Sequence, residues 1–185
     1  IGRGFFNALW NKLYKAEIIN KHNIAIDEEF NLGEDFLFNL DYIDKCESLL
    51  LLDVSLYNYI VNNEGLTHRY RENKFQLLDK VNEKYRKFLH ANNMDIKTAD
   101  FSTIRTCYSC FMDLFHVNNK MSFNEKLKNI ESILDKKKVK KILERYKARN
   151  IKEKLLLLIL KSNFTYLIYI VSWVCFTIKF KIKKE

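Results

Sequence analysis

Proline is absent from all 185 residues, and glycine occurs only four times. Proline breaks a helix by removing a backbone donor and colliding with the preceding turn, and glycine weakens one through its backbone freedom. A chain almost free of both predicts long helices with short connections. The 48% apolar and 14% aromatic fractions exclude a disordered chain, and this length suffices to bury a real core.

From residue 72 onward only helices are expected. Phe75, Leu78, Val81, Tyr85, Phe88 and Leu89 make a 3.6-residue stripe that stops at Asn92-Asn93. Residues 98–117 give a second amphipathic helix. Ser122-Phe123-Asn124-Glu125 fits a capping box opening a third, with Leu127, Ile130 and Leu134 on its buried side. Residues 136–149 give a fourth, strongly basic, with Val139, Ile142, Leu143 and Tyr146 as its stripe. No repeat of fixed period is evident.

The earlier third is more mixed. Residues 5–21 read as a loop entering a helix, with Leu9, Leu13, Ala16 and Ile19 along one face. Residues 23–31 read as a loop or short strand, and 36–46 as a helix. Four consecutive leucines at 49–52 fit a short buried strand or a helix end. Residues 56–61, rich in aromatic and β-branched side chains, read as a strand paired with it, closed by the turn residues Asn62-Asn63-Glu64-Gly65.

Chemistry concentrates at Asn31-Leu32-Gly33-Glu34-Asp35-Phe36. Glycine permits a sharp turn, and acidic residues are favoured in a helix's first turn by the unpaired N–H groups. A carboxylate fixed there is a candidate general base acting on a hydroxyl. Read alone, Glu34 and Asp35 simply begin a helix. Upstream lies Trp10-Asn11-Lys12-Leu13-Tyr14, and downstream lie Tyr57-Asn58-Tyr59 and Glu64-Gly65-Leu66-Thr67.

This order and spacing, from about residue 6 to 71, resemble the C-terminal half of the catalytic domain of bacterial family 2 glycosyltransferases. That family shows a Trp-x-Lys-Leu-Tyr-like segment, a Phe-x-x-x-Gly-Glu-Asp-x-x-Phe segment, a Tyr-x-Tyr strand and a turn ending in Ser-Leu-Thr or similar. The resemblance implies a parent of α/β class with the GT-A, nucleotide-diphospho-sugar transferase-like fold. Of it, this chain would hold a mostly α portion with a short β-hairpin or strand pair, followed by a C-terminal helical region. The domains expected are 1–71 as half of the catalytic domain, 72–150 as a helical extension and 151–185 as a membrane-associating tail.

The resemblance also assigns roles. Asp35 would be the base in an inverting transfer from a nucleotide-sugar donor to a saccharide or lipid-linked acceptor, and Glu34 would orient the site. Trp10, Asn11 and Lys12 would lie beside the acceptor, although Trp10 equally suits a core aromatic and Lys12 a solvated charge. His68 and Arg69 would stand near the diphosphate or its metal, although a lone solvent-facing histidine is the simpler reading. A divalent cation, Mg²⁺ or Mn²⁺, is expected in the whole enzyme. The chain opens Ile1-Gly2-Arg3-Gly4 with no Asp-x-Asp motif before Gly33. It is therefore expected to be a fragment lacking the donor-binding half, and inactive by itself.

Cys107-x-x-Cys110 invites a zinc or redox reading, but only His116 lies nearby and no second such pair exists. Both cysteines fall among Tyr108, Phe111, Met112, Leu114 and Phe115, so small core residues are the expectation.

Charge is unevenly spread. Residues 1–119 hold 14 Lys/Arg against 17 Asp/Glu, whereas residues 120–185 hold 18 against 6. The whole positive excess sits in the last third and calls for an anionic partner there. Residues 155–178 are apolar apart from Lys161, Ser162 and Asn163, and are followed by Lys179, Lys181, Lys183 and Lys184. With Tyr166, Tyr169 and Trp173 this fits attachment to the cytoplasmic face of a bacterial membrane, a true span, or a core helix. No nucleic-acid-binding motif is present, so nucleic acid is not an expected partner. The rival to the transferase is a non-enzymatic helical adaptor at a membrane surface, in which the basic tail is the functional part.

Overall fold

The computed structural model describes residues 6–54, 57–58, 60 and 70–182. Its regular elements are helices: α1 (Ala16–His22), α2 (Glu34–Ile43), α3 (Lys74–Ala91), α4 (Lys97–Asp113), α5 (Phe123–Leu134), α6 (Lys137–Arg145), α7 (Ile151–Lys161) and α8 (Thr165–Ile182).

Two apolar clusters organise the packing. The smaller joins Phe30, Leu37 and Leu40 to Val81, Tyr85 and Leu89 of α3 and to Ala99 of α4. The larger gathers Ile104, Cys107 and Phe111 of α4 with Ile130, Ile142, Leu160 and Ile168 from α5, α6, α7 and α8. Phe75, at the start of α3, belongs to the larger cluster, so α3 serves both. The expected α3 stripe is therefore split between two cores.

Polar contacts fix how α3, α4 and α6 meet. Asn82, buried on α3, donates to Thr106 Oγ1 at 3.1 Å and accepts from Ser102 Oγ at 2.7 Å. Asp100, buried on α4, accepts from Arg86 of α3 and from Arg145 Nε and Nη2 of α6, the latter two at 2.9 and 2.7 Å. A buried carboxylate is tolerable only when so paired.

Ser122 caps α5 as the sequence predicts: its hydroxyl accepts from the Glu125 amide, and Glu125 accepts in return from the Ser122 amide at 2.7 Å. Cys107 and Cys110 are buried core residues, and burial pushes the Cys110 thiol up to about 12 and Cys107 further still. They take part in no metal cluster: among the described residues no group of three or more His, Cys, Asp or Glu is placed to hold an ion.

Three expectations are corrected. The strand pair is not formed, because there is no strand among the described residues, which are helical or irregular. The leucines at 49–52 lie in an irregular segment and are exposed, Leu50 by 84%. The helices complete both clusters without them, and nothing among the described residues buries this run. Residues 55, 56, 59 and 61 of the expected second strand lie outside the described residues.

Within 5–21, the helix expected to carry Leu9, Leu13, Ala16 and Ile19 on one face begins only at Ala16 and runs to His22, and Leu13 is 93% exposed rather than on a buried face. The apolar run at 155–178 is divided between α7 and α8, with Ser162 as C-cap of α7 and Asn163 left-handed at φ 52°. Among the described residues no helix is long and apolar enough to cross a membrane.

Candidate functional site

Gly33 precedes α2 in the left-handed region at φ 89°. A Cβ there would stand 3.0 Å from Val81 Cγ2, so the position needs glycine both for its backbone and for its approach to α3. The turn sets Glu34 and Asp35 in the first turn of α2, as the sequence predicts.

Helix α2 then works on two faces. Phe36, Leu37 and Leu40 point to α3, with the Phe36 and Tyr85 rings edge-on at 5.0 Å. The other face, carrying Asp35, Phe38, Asn39 and Tyr42, is overlaid by the irregular segment 6–15. Asn39 is 1% exposed and is the centre of this contact. Its Nδ2 donates to the carbonyls of Phe6 at 2.8 Å and Ala8 at 3.2 Å, and back to that of Asp35 at 2.8 Å. Its Oδ1 accepts from the Tyr14 hydroxyl at 2.7 Å. Tyr42 Oη accepts from the Lys15 amide at 2.7 Å, and the Tyr14 ring stands edge-on to Phe38 and Tyr42. A chain without regular structure is thus held by one buried amide and two tyrosines.

This segment carries the residues expected to meet an acceptor and brings them to Asp35. Asp35 is partly buried and its pKa is raised, first by burial and then by Glu34, against the Leu9 backbone hydrogen bond and the Lys12 charge. Lys12 is lowered by burial, with Asp35 acting to raise it. The Lys12 ammonium donates to Ala8 O at 2.5 Å and to Asn11 Oδ1 at 2.7 Å. Trp10, 45% exposed, stacks on the exposed Tyr57 with ring centroids 4.7 Å apart. Glu34 Oε2 is buried with no hydrogen-bond partner among the described residues.

The structure therefore gathers Asp35, Glu34, Trp10, Asn11 and Lys12. The other two candidates, His68 and Arg69, lie outside the described residues. Asn39, Tyr14 and Tyr57 are additions that sequence reasoning did not assign to the site. The only signal for Asn39 was its place one turn after Asp35 on the same helix face. Among the described residues Asp35 and Glu34 are joined by no third metal-binding side chain. Two concavities lie elsewhere. One, about 440 Å³ and open, is lined by His22, Ile24, Asp27, Asp41, Asp44 and Lys45. The other, about 90 Å³, lies by Lys74, Asp113 and Lys136. Asp35 lines neither.

What the site can do is limited and definite. A carboxylate made more basic by partial burial accepts a proton more strongly than a solvated one. A stacked, exposed aromatic pair offers an apolar face of the kind on which sugar rings rest. The neighbouring ammonium and amide supply polar groups for hydroxyls.

A stretch of 59 residues, 32% of this chain, is 36% identical to the uncharacterized glycosyltransferase EpsJ of Bacillus subtilis (strain 168), and covers 17% of that protein. The chain thus spans well under two thirds of the relative it matches. No family model matches the chain, and no solved structure matches it. Over that stretch the chain is similar to a glycosyltransferase.

Proposed function

We propose that this chain contributes the acceptor-side part of an inverting, family 2-like glycosyltransferase, with Asp35 as its general base. The observation that carries the reading is the meeting of Asp35, with its raised pKa, and the Trp10–Lys12 segment, held together by Asn39. The partial likeness to a glycosyltransferase supports the same class.

In the proposed step an acceptor hydroxyl oxygen bonds to the anomeric carbon of a nucleotide-sugar as that carbon's bond to the diphosphate oxygen breaks. The hydroxyl proton passes to an Asp35 carboxylate oxygen, and the nucleoside diphosphate leaves with the bonding electrons. Attack opposite the leaving group inverts the anomeric centre, and one placed base suffices for it. Trp10 and Tyr57 stack the acceptor sugar, which is a saccharide or a lipid-linked saccharide. Asn11 and Lys12 bind its hydroxyls, and Glu34 sets the electrostatics that keep Asp35 basic. A divalent cation, Mg²⁺ or Mn²⁺, would supply positive charge to the departing diphosphate; the described residues by themselves assemble no set of ligands for it.

The test uses the longest reading frame that contains this chain, assayed with UDP- and GDP-sugars, saccharide acceptors and Mg²⁺ or Mn²⁺. Acceptor-dependent release of nucleoside diphosphate that disappears in Asp35→Asn, with helix content retained, is the expected result. Equal turnover in both proteins removes Asp35 from the mechanism.

A further inference from the structure

Helix α8 is apolar on all sides, yet only one side is covered. Ile168 and Ser172 are 1% exposed and face α4 and α5, and Tyr169 packs edge-on against Phe115 and Phe123. On the other side Tyr166, Ile170, Trp173, Val174 and Ile178 follow a 3.6-residue stripe, each between 40% and 54% exposed. Helix α7, which packs on α8, repeats the pattern: Leu157 and Leu160 are buried, while Leu155 and Leu158 are more than half exposed. Phe164, at the turn between them, is 59% exposed, and its ring lies 6.1 Å from that of Tyr166. A helix apolar all round belongs in a core or against an apolar medium, and a contiguous apolar patch of this kind marks an interaction surface.

We infer that this face of α7 and α8 docks on an anionic lipid bilayer, lying in the interface plane. Charge selects the occupant. Residues 154–184 contain six lysines and no acidic residue. A second copy seated on the same patch by two-fold symmetry would set those lysines against their own kind, a costly arrangement. Anionic headgroups match the lysines that flank the helix while the acyl boundary covers its apolar stripe, so apolar area and flanking charge, rather than a polar face, would hold it there. Trp173 and Tyr166 suit the headgroup level, having an apolar ring and a polar tip. Lys179 and Lys181 fall within the 18 residues of α8, which leaves fewer consecutive apolar residues than the roughly 20 that a spanning helix needs. The helix therefore lies on the bilayer, in keeping with the absence of a crossing helix among the described residues.

This inference is independent of the transferase reading, because its readout is binding and not turnover. The full 185-residue chain is sedimented with vesicles of phosphatidylcholine alone or with about 30% phosphatidylglycerol. Expected are binding at least roughly tenfold tighter to the anionic vesicles, its loss in concentrated salt, and a blue shift of tryptophan emission that Trp173→Phe removes. Ile170→Glu/Trp173→Glu is expected to lower the affinity at least roughly tenfold with helix content unchanged, while Leu50→Glu, on another exposed segment, leaves it intact. Should the double variant fail to fold, Lys161→Glu/Lys179→Glu serves instead, with loss of the preference for phosphatidylglycerol expected. Absence of binding to anionic vesicles overturns the inference, as does equal affinity for the two lipid compositions. So does a concentration-dependent dimer that the Ile170→Glu/Trp173→Glu change abolishes.

Discussion

The hydroxyl of Tyr14 donates to Asn39 Oδ1 at 2.7 Å, joining two residues 25 positions apart across an otherwise irregular segment. Asn39 donates its amide hydrogens to the carbonyls of Phe6 and Ala8, which lie outside any helix, and to that of Asp35 one turn back in α2. Replacing it by alanine removes the side-chain partner of the Phe6 carbonyl and of the Tyr14 hydroxyl, while Ala8 O keeps the Lys12 ammonium and Asp35 O its place in α2. Asn39→Ala is expected to destabilise the fold by about 1–3 kcal/mol, read by urea denaturation. Tyr14→Phe, which retains the ring, is expected to cost about 1 kcal/mol. Under the proposed function both variants lose turnover beyond their loss of stability, because the segment carrying Trp10, Asn11 and Lys12 is no longer held at Asp35.

Gly33→Ala tests the turn. It imposes a left-handed backbone on a residue with a Cβ and presses that Cβ against Val81. The expected cost is about 1–3 kcal/mol, from the backbone conformation together with the crowding. In a Val81→Ala background the crowding is gone and only the backbone part remains. The double-mutant cycle is therefore expected to show coupling of about 0.5 kcal/mol or more, and strict additivity would show that the two residues do not press on each other.

Asp35 gives a pH prediction of known sign. Its pKa is raised in the folded protein by burial and by Glu34, so the folded state keeps the proton to higher pH than the unfolded chain does. Stability therefore falls as pH rises through the unfolded value and into the folded one. Asp35→Asn, which cannot ionise, is expected to remove that decline and to be at least as stable as the parent at neutral pH while transferring no sugar. The acid limb of the parent's activity profile is expected above the ordinary aspartate value of 3.8. A limb at or below that value is the contrary result.

Glu153 behaves in the opposite sense. Burial alone would raise it, but the side chain and backbone amide of Arg149 and the hydroxyl of Tyr146 hold it at about 2. The stability it contributes is present above its unfolded value of 4.5 and is lost as pH falls from there toward 2. Glu153→Gln is expected to cost about 1.5–3 kcal/mol at pH 7 and to flatten the acid side of the stability curve, measured by denaturation between pH 2 and about 6.

The legible parts of the fold were those decided by local pattern. Ser122 and Glu125 sit three apart and cap each other whatever surrounds them. Val81, Tyr85 and Leu89 recur at helical spacing and are buried together. Gly33 before two acids opens a helix for reasons contained in those three residues. The failures share a different cause. The leucine run at 49–52 has the composition of a buried strand, but burial depends on a neighbour, and none of the packed helices covers it. Leu13 was assigned to a helical face by spacing, whereas the pull of Asn39 and Tyr42 on Tyr14 and Lys15 holds that segment out of helix. By contrast, the break at Asn163 is legible, since Lys161, Ser162 and Asn163 interrupt the apolar run in the sequence itself. At the site, Asp35 and Lys12 were visible as residue types in a known order. The role of Asn39 rests on partners 25 to 33 residues away, which no local pattern encodes.

Because Lys74–Ala91 carries Phe75 into one apolar cluster and Val81, Tyr85 and Leu89 into the other, neither can melt while leaving the other's boundary intact. The segment around Asp35 thus draws its rigidity from the rear of the molecule as well as from its own contacts. Heating is expected to dismantle the region bearing Glu34 and Asp35 and the region bearing α8 in one transition.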